Sequence, residues 1–211
     1  MSGFDPVARV YRLLEYAAFG RTLHRARIAH LSHVTAARRA LLIGDGDGRF
    51  LVELLRVAPD VSVVSVDASA AMLQLAQARL SDTDRARVAF HHADIRAFTS
   101  PGPFDLVVTL FSLDCFTDAD AAAIVHRMAP LVSADGQWLF ADFAVPARGL
   151  QRWHARFVVG ALYRFFRWRT GIEARELPAS QRHITDSGFH AVDTRAFRAG
   201  LIQSVRYARR S

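Results

Sequence analysis

Leu41-Leu42-Ile43-Gly44-Asp45-Gly46-Asp47-Gly48-Arg49-Phe50 places a glycine at every second position, directly after an apolar run and before a segment of helical period. Glycine tolerates backbone angles and close approaches that a side chain forbids, so such a loop can lie against a ligand. The spacing is G-x-G-x-G; in the G-x-G-x-x-G of dinucleotide sites the third glycine would stand where this chain has Arg49. Taken alone, the loop also reads as a tight strand-to-helix turn. Outward from it, apolar runs of strand length (Ala40–Ile43, Val61–Val66, Val88–His91, Leu106–Leu110, Trp138–Phe143) alternate with helix-period segments (Phe50–Leu55, Ala70–Leu80, Ala121–Val132). That alternation predicts parallel βαβ units. The runs are continuously apolar, as in Val61-Ser62-Val63-Val64-Ser65-Val66, which fits strands covered by helices on both faces.

The ends of the next two strands carry acids. Asp67 follows Val66, 19 residues beyond Gly48, where a carboxylate can accept hydrogen bonds from both hydroxyls of a ribose held over the glycine loop. The competing role for Asp67 is to cap the following helix, which Ser69 can do instead. The third strand runs into His91-His92-Ala93-Asp94-Ile95, and an Asp there can accept from the exocyclic amine of adenine.

Together, Leu41–Phe50, Val66–Met72, Ala93–Ile95 and Phe104–Leu113 resemble the class I S-adenosylmethionine-dependent methyltransferases. The resemblance implies a Rossmann-like, doubly wound α/β fold with a seven-stranded sheet, mostly parallel with a C-terminal antiparallel hairpin, and an N-terminal helical cap. It implies S-adenosyl-L-methionine as cofactor. Gly44, Asp45, Gly46 and Gly48 would then lie beside the methionine part, Asp67 and Ala68 at the ribose, Met72 against the adenine ring and Asp94 with Ile95 at the adenine amine. The segment Thr109-Leu110-Phe111-Ser112 would pass beneath the methionine and sulfonium, which makes Phe111 a cofactor contact. Members of the family often carry an acid two residues before the first glycine; this chain has Leu42 there, and Asp45 or Asp47 is the replacement for the contact to the cofactor's ammonium.

Methyl transfer from a sulfonium is an in-line displacement without a covalent enzyme intermediate, so positioning in a dry site supplies much of the rate, up to about 7–11 kcal/mol. A base is needed only when the nucleophile must lose a proton. The fourth strand ends Phe111-Ser112-Leu113-Asp114-Cys115-Phe116 without the Asn/Asp-Pro-Pro-aromatic signature of many nucleic-acid amino methyltransferases. Asp114 and His154 are the candidate bases, with His24, His30 and His33 behind them; Asp114 also reads as a helix cap, and each histidine as a structural residue. No catalytic residue is assigned. Cys115, the only cysteine, reads as a small apolar core residue.

The 211 residues are 51% apolar with mean hydropathy +0.11, enough for a substantial core. No apolar run is long enough to span a membrane, the N-terminus does not resemble a signal peptide, and no His/Cys cluster has metal spacing, so a cytoplasmic protein without metal is expected. All 27 basic residues are arginine, and the formal charge of +7 is unevenly placed. Residues 1–40 carry +5, residues 41–147 carry −7 and residues 148–211 carry +9. The excess thus flanks an acidic core, which disfavours nucleic acid as a partner.

These divisions give one domain in four parts: an N-terminal helical cap at 1–37, a cofactor-binding core at 38–145, a helical insertion or lid at 146–187 and a hairpin at 188–211. In the cap, residues 7–18 and Thr22–His33 hold helical period, and Tyr11 either closes over the site or packs in the core. In the insertion, Val158, Ala161, Leu162 and Phe165 make an apolar stripe opposite Arg152, Arg156, Arg164 and Arg167. That basic amphipathic helix over 151–168 reads as a lid over an apolar substrate pocket, as an interfacial helix on anionic lipid, or as a surface helix, with the lid preferred. Its place and aromatic content loosely resemble the methyltransferases of ubiquinone and menaquinone synthesis. The expected acceptor is therefore a small apolar or aromatic molecule, with Tyr11, Asp114, Phe143 and His154 facing it. The alternatives are an RNA methyltransferase that grips phosphate with its basic flanks and a non-catalytic cofactor-binding protein.

Overall fold

A computed structural model describes residues 19–144 and 176–210. Short helix α1 (Thr22–Arg27) leads into strand β1 (Arg39–Ile43), helix α2 (Arg49–Val57), strand β2 (Ser62–Asp67), helix α3 (Ala70–Gln77), the single turn α4 (Asp82–Arg85) and strand β3 (Val88–His92). Strand β4 (Phe104–Leu110), helix α5 (Asp118–Met128), strand β5 (Val132–Phe143), helix α6 (Ser180–Asp186) and strands β6 (Phe189–Phe197) and β7 (Ile202–Arg209) complete it. The strands form one seven-stranded sheet in the order β3-β2-β1-β4-β5-β7-β6. Strands β1 to β5 run parallel, and β7 pairs antiparallel with both β5 and β6.

The continuous apolar strands are continuous because both faces are covered. Successive residues on a strand point to opposite faces, and β1 divides accordingly. Leu41 and Ile43 join one buried layer with Val107, Trp138 and Phe140 beneath α5 and α6, while Ala40 and Leu42 join the other with Val108, Leu139 and Ala141 beneath α2. The position of an acid in many relatives of the resembled family is thus occupied by Leu42, 0% exposed. An acid in that place would need a partner inside an apolar layer.

Three expected helices end early, Ala70–Leu80 at Gln77 among them. The segment Ala121–Val132 is helical only to Met128, because Pro130 cannot continue the ladder; residues 129–131 tighten into a 3₁₀ turn and Val132 already opens β5. Strand β5 is accordingly twice as long as the expected Trp138–Phe143, with a register shift against β4 between Phe104 and Leu106. Likewise Thr22–His33 divides into α1 and a separate 3₁₀ turn at Leu31–His33. That second piece is fastened by His30, 1% exposed, whose Nε2 donates to the Ser204 carbonyl at 3.1 Å and whose Nδ1 lies 3.3 Å from Asp193. The β6–β7 turn uses positive φ at Arg198, Ala199 and Gly200 together.

Candidate active site

Strand order reverses between β1 and β4, and in open α/β sheets the crevice at the carboxyl ends of such neighbours is where ligands bind. A cavity of about 960 Å³, counted to its open mouth, lies there, lined from β1 by Ile43 to Asp47 and Arg49, from β2 by Val66 to Ala68, and from β4 by Leu110 to Ser112. Met72, Ile95, Cys115, Phe116 and, from the N-terminal flank, Arg27 complete its wall.

Asp67 organises the loop it faces. Its Oδ2 accepts from the Gly46 amide at 3.2 Å and its Oδ1 from the Ser69 amide at 2.9 Å, while Ser69 Oγ caps α3 by accepting from Met72 N at 3.2 Å. The helix cap is thus Ser69, and Asp67 is left to hold the glycine loop at the cavity wall. Gly48 takes φ 78° immediately before α2, where a Cβ would stand 2.7 Å from Ala76 Cβ and 2.8 Å from Ala76 Cα, so the loop and α3 touch backbone to backbone. At Gly46, φ 66°, a Cβ would meet only Met72 Sδ at 3.9 Å and otherwise open cavity. Gly44, Ala68, Met72 and Ile95 line the cavity, whereas Gly48, turned against α3, does not.

The two loop acids differ. Asp47 is bridged by Arg79 at 2.6 Å and Arg49 at 3.1 Å and closes the rim. Asp45 accepts from the Leu51 amide through Oδ2 at 3.0 Å, but its other oxygen, Oδ1, is buried with no hydrogen-bond partner. Removal from water pushes the Asp45 carboxyl up to about 7, against the opposing pull of the Leu51 amide and the Arg27 guanidinium. Ser112 Oγ is a second buried, unpartnered polar atom on the same wall.

Asp94 does not line the cavity. It is exposed and gripped by Arg96, whose Nη2 and Nε donate to Oδ2 at 2.7 and 3.0 Å, and this pairing holds its carboxyl below the usual range. A role at adenine would require that pair to open. Phe111 lines the cavity at φ 56°, a backbone conformation that a bulky residue adopts only under constraint. Its amide donates to the Ala141 carbonyl at 2.7 Å, its ring meets Phe143 edge-on at 5.6 Å, and the Arg27 guanidinium sits 4.9 Å above it. Phe143 packs against Phe19 at 5.3 Å in an aromatic cluster behind the wall, not on it. Tyr11, His154 and the helix over 151–168 lie outside the described residues.

Sequence reasoning missed one pairing. Asp142, at the end of β5 and 3% exposed, accepts the Asp114 amide through Oδ2 at 3.1 Å and hydrogen-bonds to the Asp114 carboxyl. Both carboxyls are raised by removal from water, Asp142 further by the Asp114 charge. The Cys115 thiol, on the cavity wall, donates to Asp114 Oδ1 at 3.5 Å and is held well above its ordinary pKa by burial and by these acids, which makes it a donor rather than a nucleophile. Thr117, not Asp114, caps α5, accepting from Asp120 N at 3.2 Å. No histidine lines the cavity among the described residues, and these hold no cluster of metal-ligand type or helix long and apolar enough to cross a membrane.

The described cavity suits an adenosyl sulfonium: an acid faces the sugar position, the Gly46 wall leaves room, and Asp45 and Ser112 offer unpartnered oxygens. The fold is shared with solved structures. The structure resembles that of the mitomycin 7-O-methyltransferase MmcR, with TM-score 0.71 and 19% identity over 99% of this chain and 61% of that one. It also resembles the N-methyltransferase NodS from Bradyrhizobium japonicum in complex with S-adenosylhomocysteine, at TM-score 0.65 and 20% identity over 92% and 88%. An O-methyltransferase family protein from Burkholderia thailandensis follows at TM-score 0.63 and 21% identity over 93% and 62%. The chain thus spans about three fifths of the length of MmcR. No curated protein matches it. Residues 40–136 match the family described as a methyltransferase domain.

Proposed function

We propose that the protein transfers a methyl group from S-adenosylmethionine to a small apolar or aromatic acceptor by in-line displacement. The observation that carries this is the cavity at the β1/β4 switch point, whose glycine loop is fixed by Asp67 and whose further lining is mainly apolar (Ile43, Val66, Met72, Ile95, Phe111 and Phe116), with Arg27 and Ser112 as polar members. When bound there, the cofactor supplies an electrophilic methyl and a neutral thioether as leaving group.

The chain's own contribution is positional. Asp67 would hold the ribose diol, Met72 and Ile95 the adenine faces, and Phe111 the floor beneath the sulfonium. An apolar wall excludes water from the displacement, which is worth most when nucleophile, methyl and sulfur are collinear. The Asp114–Asp142 pair, one residue from cavity-lining Cys115, supports an acceptor with an ionisable hydroxyl. A carboxylate of the pair would give the departing proton a destination, the oxygen–hydrogen bond breaking as the oxygen–methyl bond forms.

The test is calorimetric titration with S-adenosylmethionine of the wild type and Asp67→Ala, followed by methyl transfer to a panel of phenols, amines and carboxylic acids. Binding that weakens about 100-fold in the variant, from loss of charge-assisted hydrogen bonds worth ~1.5–3 kcal/mol each, is expected. Equal affinity in both proteins would remove the proposal.

A further inference from the structure

We infer that Asp45 is the group that receives the cofactor's α-ammonium in this chain, and that it surrenders a proton to the solvent when it does so, making cofactor binding a proton-releasing event. This rests on the cofactor reading above and goes further in assigning the charge chemistry at one end of the cavity.

The geometry separates Asp45 from every other acid nearby. Asp67 spends both oxygens on the Gly46 and Ser69 amides, Asp47 is bridged by Arg49 and Arg79, and Asp114 is paired with Asp142. Asp45 lines the cavity with one oxygen tied to the Leu51 amide and the other buried without a partner. A buried oxygen in that state is satisfied either by carrying a proton or by receiving a cation. The usual acid of the resembled family is not available to do this, since its place holds Leu42, sealed in the apolar layer beneath α2. Ser112 Oγ, also buried and unpartnered on this wall, is a neutral acceptor for a second ammonium hydrogen.

The charged groups facing Asp45 set the proton's fate. Arg27, from α1, favours the carboxylate; Asp47, in the same loop, opposes ionisation; the Leu51 and Phe50 amides of α2 favour it. From the β4 side come the neutral Ser112 and the Asp114–Asp142 pair, whose carboxyls are both raised. Withdrawal from water outweighs these, so near pH 7 the free protein holds Asp45 about half protonated. An arriving ammonium stabilises the carboxylate, and the proton leaves: the O–H bond of Asp45 breaks, the proton passes to buffer, and an ion pair replaces it. No electrons move.

The experiment is titration calorimetry with S-adenosylhomocysteine, which carries the same amino-acid end, at pH 6.5 in buffers of different ionisation enthalpy. With the carboxyl at about 7, release of about three quarters of a proton is expected at pH 6.5, falling to about a tenth at pH 8. Asp45→Asn keeps an oxygen for the Leu51 amide, and its thermal melt checks the fold; it should bind with buffer-independent heat. 5′-Methylthioadenosine, which lacks the amino-acid end, should bind the wild type without release. Binding of S-adenosylhomocysteine with no release, or equal release in Asp45→Asn, would overturn the inference; release lost instead in Asp114→Asn would transfer it to the acid pair and overturn it equally. Failure of S-adenosylhomocysteine to bind at all removes the cofactor reading, and this inference with it.

Discussion

Alanine at Gly48 and alanine at Gly46 should injure different properties of the molecule, although the glycines are two residues apart and both at positive φ. At Gly48 an L-residue held at φ 78° costs about 1–2 kcal/mol in backbone strain. The new Cβ would also stand 2.7 and 2.8 Å from Ala76 Cβ and Cα, and since the second atom is backbone, α3 itself must move. Overpacking of that kind costs roughly 1–3 kcal/mol more. The sum, about 2–5 kcal/mol, is a large part of a typical folding free energy of about 5–15 kcal/mol. At about 2–4 °C per kcal/mol, Tm should fall by about 5–15 °C. At Gly46 only the strain applies, because its Cβ meets nothing closer than Met72 Sδ at 3.9 Å. The methyl instead enters the cavity, so Tm should fall by a few degrees while affinity for S-adenosylhomocysteine drops at least tenfold. Circular-dichroism melts and calorimetric titrations of both variants decide the matter. A Gly48→Ala protein melting within 2 °C of wild type, in which ~2 °C is less than one kcal/mol of change, would refute the backbone-contact account. So would a Gly46→Ala protein that binds normally but melts as early as Gly48→Ala.

His30 is held below its ordinary pKa of 6.5 by burial, so folding favours its neutral form. Its contribution is present above the unfolded value and lost as pH falls through the lower folded one; the drop in Tm between pH 7 and pH 5 should be blunted in His30→Gln. The Asp114–Asp142 pair behaves oppositely, since both folded pKa values are raised: its penalty is absent below about pH 4 and grows as pH rises through the folded values. Asp142→Asn should therefore gain stability relative to wild type above neutrality, and lose at least 100-fold in turnover of a phenolic acceptor if the pair takes its proton. Trp138→Phe leaves Thr109 Oγ1 without its 2.9 Å indole donor inside the core, and should lower stability by about 1–3 kcal/mol with cofactor affinity unchanged.

The sheet was legible in the chain because its parallel strands are apolar on both faces. Leu41 with Ile43 and Ala40 with Leu42 enter opposite layers, so a strand reads as an unbroken run, and the same runs end in Asp67 and in the glycine loop at the cavity. Boundaries were less legible where one residue decides them, as Pro130 does at the end of α5. The acid pair was missed for a different reason. Leu110 pairs with Ala141, so the parallel ends of β4 and β5 bring Asp114 to Asp142 across 28 positions of sequence, a distance no local pattern spans. A signal nevertheless existed: Asp142 follows a continuous apolar run as Asp67 does, and the rule that singled out Asp67 applies to it equally.

The uneven charge of the chain acquires a local meaning at Arg27. The N-terminal 40 residues carry +5 and the central 107 carry −7, a division that by itself suggests only a general attraction between flank and core. In the structure Arg27 is one place where the two meet, as Arg38 is at Asp60. Its guanidinium sits 4.9 Å over the Phe111 ring, at the cavity wall, in the field of both Asp45 and Asp114. A cation so placed lowers both acids without pairing off the buried Asp45 oxygen, which keeps Asp45 poised near neutrality instead of locking it protonated. Replacing Arg27 with Gln should therefore raise the Asp45 titration above about 7, increase the proton released by S-adenosylhomocysteine binding at pH 7.5, and weaken that binding. Unchanged release at that pH would mean that the flank's charge does not reach the site, and the partition seen in the sequence would be a matter of surface alone.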